Sequence, residues 1–103
     1  MRYEVVTHPE AFAELQEALD WLDERSLWAG KRLSREYDEH ISLIRDTPAS
    51  FRKIHGDYRR VNLRRFSYHV IYRIRQDHIF VIAFAHDKRH PDYWKARISD
   101  DQD

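Results

Sequence analysis

Apolar residues in the first half of the chain recur every three or four positions in two separate segments. The first segment has its apolar face at Phe12, Leu15, Leu19 and Leu22, and the second at Leu33, Tyr37, Ile41 and Ile44. This spacing predicts two amphipathic helices, the first of roughly four turns. Pro48 is expected to end the second helix, because a proline disfavours helical geometry in the residue before it. The link between the helices is short, so we expect an antiparallel hairpin.

The helix ends carry their own signals. Thr7 is followed three residues later by Glu10, which is the spacing of a capping box, so Thr7 is predicted to cap the first helix. Ser26 is the corresponding candidate for the second helix. Trp21 and Trp28 flank the corner between the helices, and we expect them to pack between the helices and hold them together rather than to bind a ligand.

The second half of the chain changes to the alternation of strands. Residues 2–6 are expected to form a short first strand, and residues 58–66, 68–75 and 78–86 three more. The last of these contains an uninterrupted apolar run over residues 79–85, which is typical of a central strand covered on both faces. Because the links are short, antiparallel neighbours are the expected pairing.

These elements give the order β-α-α-β-β-β and an α+β fold class. The N-terminal helical hairpin is expected to pack on one face of a mainly antiparallel sheet and to leave the other face partly open. We predict a single domain over residues 1–99, followed by a frayed acidic tail at residues 100–103.

The charges of the chain cancel in total but are unevenly spread. There are 18 Lys and Arg residues against 18 Asp and Glu residues. Residues 1–50 carry eleven acids and six bases, whereas residues 51–99 carry twelve bases and four acids. The second half is therefore expected to meet an anionic partner. No apolar run approaches the ~20 residues that span a bilayer, and no signal-peptide pattern is present, so a cytoplasmic protein with no membrane partner is expected.

A series of polar side chains along the predicted strands is the first candidate binding surface. Its members are Arg59, Arg60, Asn62, Arg64, Arg65 and Arg73. Arg60, Asn62 and Arg64 are expected to share one strand face. Guanidinium groups match phosphate oxygens with two hydrogen bonds, so such a face could contact nucleic acid or an acidic protein. The alternative is a solvated face with no ligand.

The loop after the central strand is the candidate catalytic segment. RNA cleavage needs a base for the 2′-hydroxyl, an acid for the leaving oxygen and cations for the phosphate. His86, His90 or Tyr93 could supply the base and the acid. Lys88 and Arg89 could supply the cations. The alternative is a structural histidine that bonds to its own loop, which is the commoner case.

A metal or cofactor site is not predicted. The chain has no cysteine, so a thiolate site is excluded. His86, Asp87, His90 and Asp92 have ligand chemistry, but their spacing matches no structural zinc pattern and cations surround them. Gly30 and Gly56 each stand alone, so no glycine-rich phosphate loop is present.

Together these segments resemble the RelE/ParE superfamily, the toxins of bacterial type II toxin–antitoxin modules. The resemblance covers nearly the whole chain. The similar segments are the first helix with Ala11, Leu15, Ala18 and Trp21, the Tyr58-Arg59-Arg60 strand, residues 64–73, the apolar strand that ends at His86, and the basic pair, Pro91 and Tyr93-Trp94 that follow. The chain departs from the family in having Ser67 where a proline is usual. The lysine pair of ribosome-dependent nucleases has no clear equivalent, Arg52 and Lys53 being the closest cations.

The resemblance implies a toxin that arrests growth and is neutralised by a cognate antitoxin in a protein complex, as in plasmid stabilisation. The favoured mechanism is ParE-type inhibition of DNA gyrase by binding, which needs no catalytic residues. One alternative is a RelE-type endonuclease that acts on ribosome-bound mRNA. A second is a binding module of the same fold that has lost toxicity. The antitoxin is expected to lie across the toxin as a helix in a groove or as an added strand.

Overall fold

The computed structural model describes residues 2–101. Within that range the chain forms two α-helices, five strands and two short 3₁₀ helices. The elements are β1 (Glu4–Thr7), α1 (Pro9–Arg25), α2 (Ala29–Asp46), η1 (Pro48–Ser50), β2 (Lys53–His55), β3 (Tyr58–Asn62), β4 (Tyr68–Ile74), β5 (His78–His86) and η2 (Lys95–Asp100). The predicted helices and strands are all present, and the short strand β2 is an addition to them.

The five strands form one sheet in the order β1-β5-β4-β3-β2. Strands β2 to β5 pair as antiparallel neighbours, and β1 pairs with β5 in parallel. The α+β class and the mainly antiparallel sheet are thus confirmed. The helical hairpin and strands β2 to β4 separate β1 from β5 in the chain, and this long connection allows the two strands to pair in parallel.

The helical hairpin packs on one face of the sheet, as the apolar spacing predicts. Leu33 and Ile44 of α2 pack with Val70, Tyr72 and other residues of the strands in the larger hydrophobic core. A smaller core on the opposite face centres on Trp94, of which 1% is exposed, together with residues of β3, β4 and β5. Part of the face that was expected to be open is therefore covered. Residues 79–85 are all buried, which confirms β5 as a strand covered on both faces.

An irregularity in the β4–β5 pairing decides where the end of β5 points. Ile71 pairs with Ala83 and Tyr72 with Val81, so Ile82 is an extra residue in β5. Such a bulge shifts the alternation of side chains by one. Phe84 consequently packs in the same core as Val81, and the end of β5 is directed toward the helices.

The helix caps differ from the prediction. Thr7 belongs to β1, where it pairs with Val81, so it cannot cap α1. His8 takes that role, and its Nδ1 accepts a hydrogen bond from the backbone N–H of Glu10 at 3.0 Å. Ser26 ends α1 rather than beginning α2, whose N-cap is Trp28. A side chain at Gly30 would meet the carboxylate of Asp23, which would have to turn away.

Trp21 and Trp28 do not hold the helices together. Their exposed fractions are 52% and 57%, and each ring instead lies beneath a cation, Arg25 at 3.8 Å from the Trp21 centroid and Lys31 at 5.2 Å from that of Trp28. The expectation that they pack between the helices is therefore wrong.

The acidic tail is anchored where the structure describes it. His8 Nε2 and Asp100 Oδ2 are 2.8 Å apart. The carboxylate of Asp101 has no exposed surface, and it accepts a hydrogen bond from the Tyr58 hydroxyl at 2.5 Å. The expectation of fraying is therefore wrong for residues 100 and 101, and residues 102–103 lie outside the described range. No helix in the described part of the chain is long and apolar enough to cross a membrane.

Candidate functional site

The predicted arginine series is divided among different surfaces. Arg59 faces the helices, and its Nη1 donates to the carbonyls of Ala49 at 3.2 Å and Phe51 at 2.6 Å. It therefore anchors the segment that follows α2. Arg60 faces the other side of the sheet, where its Nε donates to Asn62 Oδ1 at 2.8 Å. The side chains at neighbouring positions of one strand thus point to opposite faces of the sheet.

Arg64 and Arg65 lie in the turn between β3 and β4, not on a strand. The strand ends at Asn62, so the prediction that Arg64 shares a face with Arg60 is wrong. The cause is Glu36 of α2, a residue only 5% exposed. Its carboxylate accepts the backbone N–H groups of both Arg64 and Arg65, which holds the turn against α2 and leaves both arginine side chains exposed.

The remaining member, Arg73, lies at the far end of β4. Its Nη1 is 3.5 Å from Asp101 Oδ2. Tyr58 pairs with Arg73 across the β3–β4 ladder. Arg73 therefore lies on the sheet face that the acidic tail contacts, away from the turn that carries Arg64 and Arg65.

A groove of about 610 Å³ lies between α1 and the end of the sheet and is here called the α1 groove. Trp21 and Leu22 of α1 line one side, and Phe66, Tyr68 and Phe84 line the other. The rings of Tyr68 and Phe84 are stacked, with centroids 5.0 Å apart and planes 6° from parallel. Three basic side chains also line the groove. They are Arg65, His86 and Arg89.

His86 is exposed at the end of β5, where the bulge directs it toward the α1 groove. Its ring meets that of Tyr68 edge-on at 5.3 Å. Its Nδ1 accepts a hydrogen bond from the backbone N–H of Lys88 at 3.1 Å. An accepting Nδ1 is unprotonated, so in the neutral ring the proton is on Nε2 and the outward nitrogen is a donor. Lys88 itself is exposed in the turn.

Arg89 and Tyr93 are stacked beside the groove. The guanidinium carbon of Arg89 lies 4.0 Å from the centroid of the Tyr93 ring, and that of Arg97 lies 5.1 Å from it. The Tyr93 hydroxyl is buried. Burial, and secondarily the nearby Glu14, raise the pKa of Tyr93 well above its usual value. The phenol is therefore held in its neutral form.

Glu14 of α1 links the groove to the segment after β5. Arg97 donates to both of its carboxylate oxygens, at 2.8 and 3.0 Å, and the backbone N–H of Phe84 donates at 3.2 Å. The hydrogen bonds from Arg97 to Glu14 raise the pKa of Arg97. Arg89 Nη1 lies 3.8 Å from the same carboxylate. Glu14 thus fixes the wall of the groove beside the bulge.

A second cluster occupies the opposite face of the sheet, here called the sheet-face cluster and consisting of Arg60, Asn62, His69 and Asp87. His69 Nδ1 lies 2.8 Å from Asp87 Oδ1, and Arg60 Nη2 lies 3.4 Å from the same oxygen. Because a carboxylate only accepts, Nδ1 of His69 carries the proton. Burial lowers the pKa of His69, although the hydrogen bond to Asp87 opposes this. Arg60 and His69 also line a cavity of about 130 Å³.

Comparison with known families identifies the chain. The model of the family described as "ParE toxin of type II toxin-antitoxin system, parDE" matches residues 5–91. The chain belongs to the ParE toxin family. It is therefore a toxin of a type II toxin–antitoxin system, and membership in the family implies an antitoxin partner.

Solved structures support the same fold for this ParE-family chain. A mutant of the Escherichia coli toxin RelE in the free state, with two arginines replaced by alanine, superposes with a TM-score of 0.65 at 16% identity, covering 96% of this chain and 98% of that one. The isolated E. coli RelE toxin in a P21 crystal form gives 0.55 at 18% identity, covering 94% and 97%. A search of curated proteins finds no match.

Sequence reasoning missed two functional candidates in this ParE-family toxin. His69 could have been found, because the β4 alternation puts it on the face of Arg60 and Asn62, and the register pairs it with Asn62. Glu14 has no such signal, because its position in the sequence pattern is that of an ordinary residue on the polar face of a helix. The four side chains considered as metal ligands are engaged elsewhere; Asp92, for example, pairs with Lys95 at 2.7 Å. Among residues 2–101, no group of three or more such side chains is placed to hold a metal ion.

Proposed function

We propose that this ParE-family toxin arrests growth by binding DNA gyrase in the cytoplasm and blocking it, without a chemical step of its own. The observation that supports this most directly is the burial of the Tyr93 hydroxyl, which keeps one of the groups that a nuclease would need away from a substrate. His86 and Arg89 line the α1 groove, Lys88 is exposed in the adjoining turn, and the hydroxyl of Tyr93 is buried.

The protonation states argue in the same direction. A general base must present an unprotonated atom within reach of the substrate proton. The neutral form of His86 presents a donor instead, because its Nδ1 accepts from Lys88. Tyr93 is a poor base because its raised pKa favours the neutral phenol. Binding needs none of these groups to exchange a proton.

The α1 groove suits contact with a large partner. Its apolar floor includes Trp21, half of which is exposed, and its edge carries Arg65 and Arg89. Aromatic and arginine side chains dominate the energy of many interfaces. We therefore propose that Trp21 and Arg65 contribute to target binding, with Arg89 and His86 at the same surface.

A supercoiling assay with purified gyrase tests this proposal. Wild-type toxin at micromolar concentration is expected to inhibit, and Trp21→Ala and Arg65→Glu are expected to weaken inhibition about tenfold or more, as hot-spot substitutions do. Lys53→Ala, on the distant strand β2, serves as the matched control. Growth arrest without inhibition of supercoiling would contradict the mechanism. Normal growth on expression without the antitoxin would point to a non-toxic binding module.

The second candidate function is cleavage of ribosome-bound mRNA, and the sheet-face cluster favours it. His69 is a neutral imidazole oriented by Asp87, with Arg60 beside it, which is the arrangement of a base, its orienting carboxylate and a phosphate-binding cation. Primer extension on mRNA after brief induction tests this. New cleavage ends that disappear in His69→Gln would support it, and growth arrest without such ends would exclude it.

The predicted arginines are also proposed to bind the antitoxin. Arg60 and Arg64 lie on different surfaces. Reversing the charge at each position in turn therefore distinguishes an antitoxin that binds near the turn from one that binds on the opposite face. Loss of antitoxin affinity in Arg64→Glu alone would place the antitoxin near the turn, and loss in Arg60→Glu alone would place it on the opposite face. Unchanged affinity in both variants would refute a role for these arginines.

A further inference from the structure

The two helices of the hairpin carry opposite charges on their exposed sides. Over Pro9–Arg25, α1 has six acidic residues and one basic residue. Residues 29–35 of α2 have three basic residues and no acidic one. The exposed residues nearest the corner between the helices are here called the hairpin face, which consists of Asp20, Glu24, Leu27, Trp28, Lys31 and Arg35. This face thus has an acidic side and a basic side.

The charges of the hairpin face are not neutralised between the two helices. Among residues 2–101, no ion pair joins α1 to α2, and none includes Lys31 or Arg35. Glu24 lies 3.6 Å from Arg25 of its own helix, and Asp20 accepts a hydrogen bond from the neutral amide of Gln16 at 3.1 Å. Both sides of the face are therefore available to a partner of the opposite charge.

The opposite charges lie at matching levels along the hairpin. Asp20 precedes the corner residue Leu27 by seven positions and Arg35 follows it by eight, so both lie about 10 to 12 Å from the corner along the helix axes. Glu24 and Lys31 are three and four positions from Leu27, or about 5 to 6 Å along the axes. Each of these acids of α1 therefore has a base of α2 at its own level.

We propose that a second copy of this chain docks on the hairpin face, with α1 of each copy against the basic part of α2 of the other. A two-fold axis that lies between the copies and runs along the hairpin places α1 opposite α2 and keeps the two corners together. Asp20 then meets Arg35, and Glu24 meets Lys31, each pair being formed twice. An axis across the hairpin would place α1 opposite α1, where acids meet acids and repel. Charge therefore selects the first arrangement.

The remaining side chains of the region are compatible with this dimer. Leu27 and Trp28 are 78% and 57% exposed at the corner, and the two-fold axis brings both residues of each copy together, which removes apolar surface from water. Asp38 follows the corner by eleven positions, and the residue eleven positions before the corner is the neutral Gln16, so like charges are not opposed there. None of the residues of the hairpin face lines the α1 groove, so the proposal does not depend on the target of the toxin.

Sedimentation equilibrium of the purified full chain tests the proposal. The wild type is expected to dimerise, and to do so more weakly as the salt concentration rises, because salt screens exposed charges. Asp20→Lys and Arg35→Glu should each weaken dimerisation about tenfold or more, since each substitution opposes like charges at two places in the dimer. Asp57→Lys and Arg52→Glu make the same changes at exposed positions beside the edge strand β2. They are the matched controls and should dimerise as the wild type does.

A mixture of the two variants gives the sharpest result. In a dimer of one Asp20→Lys chain and one Arg35→Glu chain, both contacts between these positions again join opposite charges. The mixture should therefore dimerise about as tightly as the wild type, although neither variant does so alone, and its recovery shows that both variants fold. Glu24→Lys and Lys31→Glu form a second such pair, which serves if one of the first variants does not fold.

Three results would overturn the proposal. The first is a wild-type chain that stays monomeric up to its solubility limit, and the second is dimerisation that Asp20→Lys and Arg35→Glu leave unchanged. The third is a mixture of folded variants that does not recover, because α1 would then not face α2 in the dimer. If the chain is monomeric and the same two variants lose affinity for the antitoxin, the hairpin face belongs to the antitoxin and not to a second copy.

Discussion

The α1 groove and the sheet-face cluster contain similar residue types but arrange them in opposite ways. In the groove, Arg65 and Arg89 lie exposed around an apolar floor. In the cluster, His69 is 4% exposed and Arg60 is tied to both Asn62 and Asp87. Exposed cations near aromatic rings favour contact with a partner, whereas a buried histidine whose Nδ1 is paired with a carboxylate favours either structure or chemistry. Residue type alone does not distinguish these roles.

The two regions also differ in what holds them. The groove depends on a buried ion pair between α1 and the segment after β5, because Glu14 bonds both Arg97 and the backbone beside the bulge. The sheet-face cluster is held by the regular β3–β4 register, which places Asn62 opposite His69. Loss of the Glu14–Arg97 pair should therefore affect folding more than loss of a contact within the cluster.

The largest effect is expected for Glu14→Ala. The substitution leaves Arg97, whose side chain is 10% exposed, without its principal partner. Removing one member of a buried ion pair costs about 3–5 kcal/mol. Urea denaturation should show a loss of that order in the free energy of unfolding.

Glu17→Ala is the matched control for Glu14→Ala. Glu17 lies one turn further along α1, lines the groove and is exposed. Its loss should change the free energy of unfolding by less than about 0.5 kcal/mol. A cost below about 1 kcal/mol for Glu14→Ala would show that the ion pair does not hold the groove.

Glu36→Ala is expected to have the next largest effect. It removes the acceptor for the backbone N–H groups of Arg64 and Arg65, and an unsatisfied buried donor costs about 1–3 kcal/mol. Amide hydrogen exchange should accelerate at these two positions in particular. Exposed Glu39→Ala serves as the control, and unchanged exchange at both amides in Glu36→Ala would refute the role of the carboxylate.

The sequence predicted the regular elements of the fold but not the contacts that place the candidate site. Periodicity identified α1, α2 and the buried strand β5, because repeated burial leaves a repeated pattern. It could not reveal the extra residue Ile82, since a bulge in a wholly apolar run changes no pattern, and this residue sets the direction of Phe84 and His86. Periodicity also predicted that β3 continues beyond Asn62. The strand ends there because the carboxylate of Glu36, a residue distant in the sequence, binds the turn that follows. Long-range polar contacts such as Glu14–Arg97 leave no local signal.

His69 should give the protein a measurable pH dependence of stability. Its pKa in the folded state is below the ordinary 6.5, so the unfolded chain binds the proton first as the pH falls. The contribution of His69 to the free energy of unfolding is fully present above pH 6.5, declines as the pH falls through 6.5, and levels off below the folded pKa.

Thermal denaturation between pH 7.5 and 5 should show this decline in wild type and a weaker one in His69→Gln. His90→Gln, at an exposed position, should retain the wild-type profile, and identical profiles for His69→Gln and wild type would contradict the assignment.

The smallest effect on folding, and the sharpest test of the comparison, is expected for Trp21→Ala. About half of the Trp21 ring is exposed and it contacts Arg25 rather than the core, so the change in unfolding free energy should stay near 0.5 kcal/mol, as for most surface substitutions. The effect on growth arrest should nevertheless be large, because the ring forms part of the groove floor. Phe12→Ala is the matched control, since Phe12 is comparably exposed on α1 at 61% but does not line the groove. Equal toxicity of the two variants would mean that the groove is not the surface through which this toxin acts.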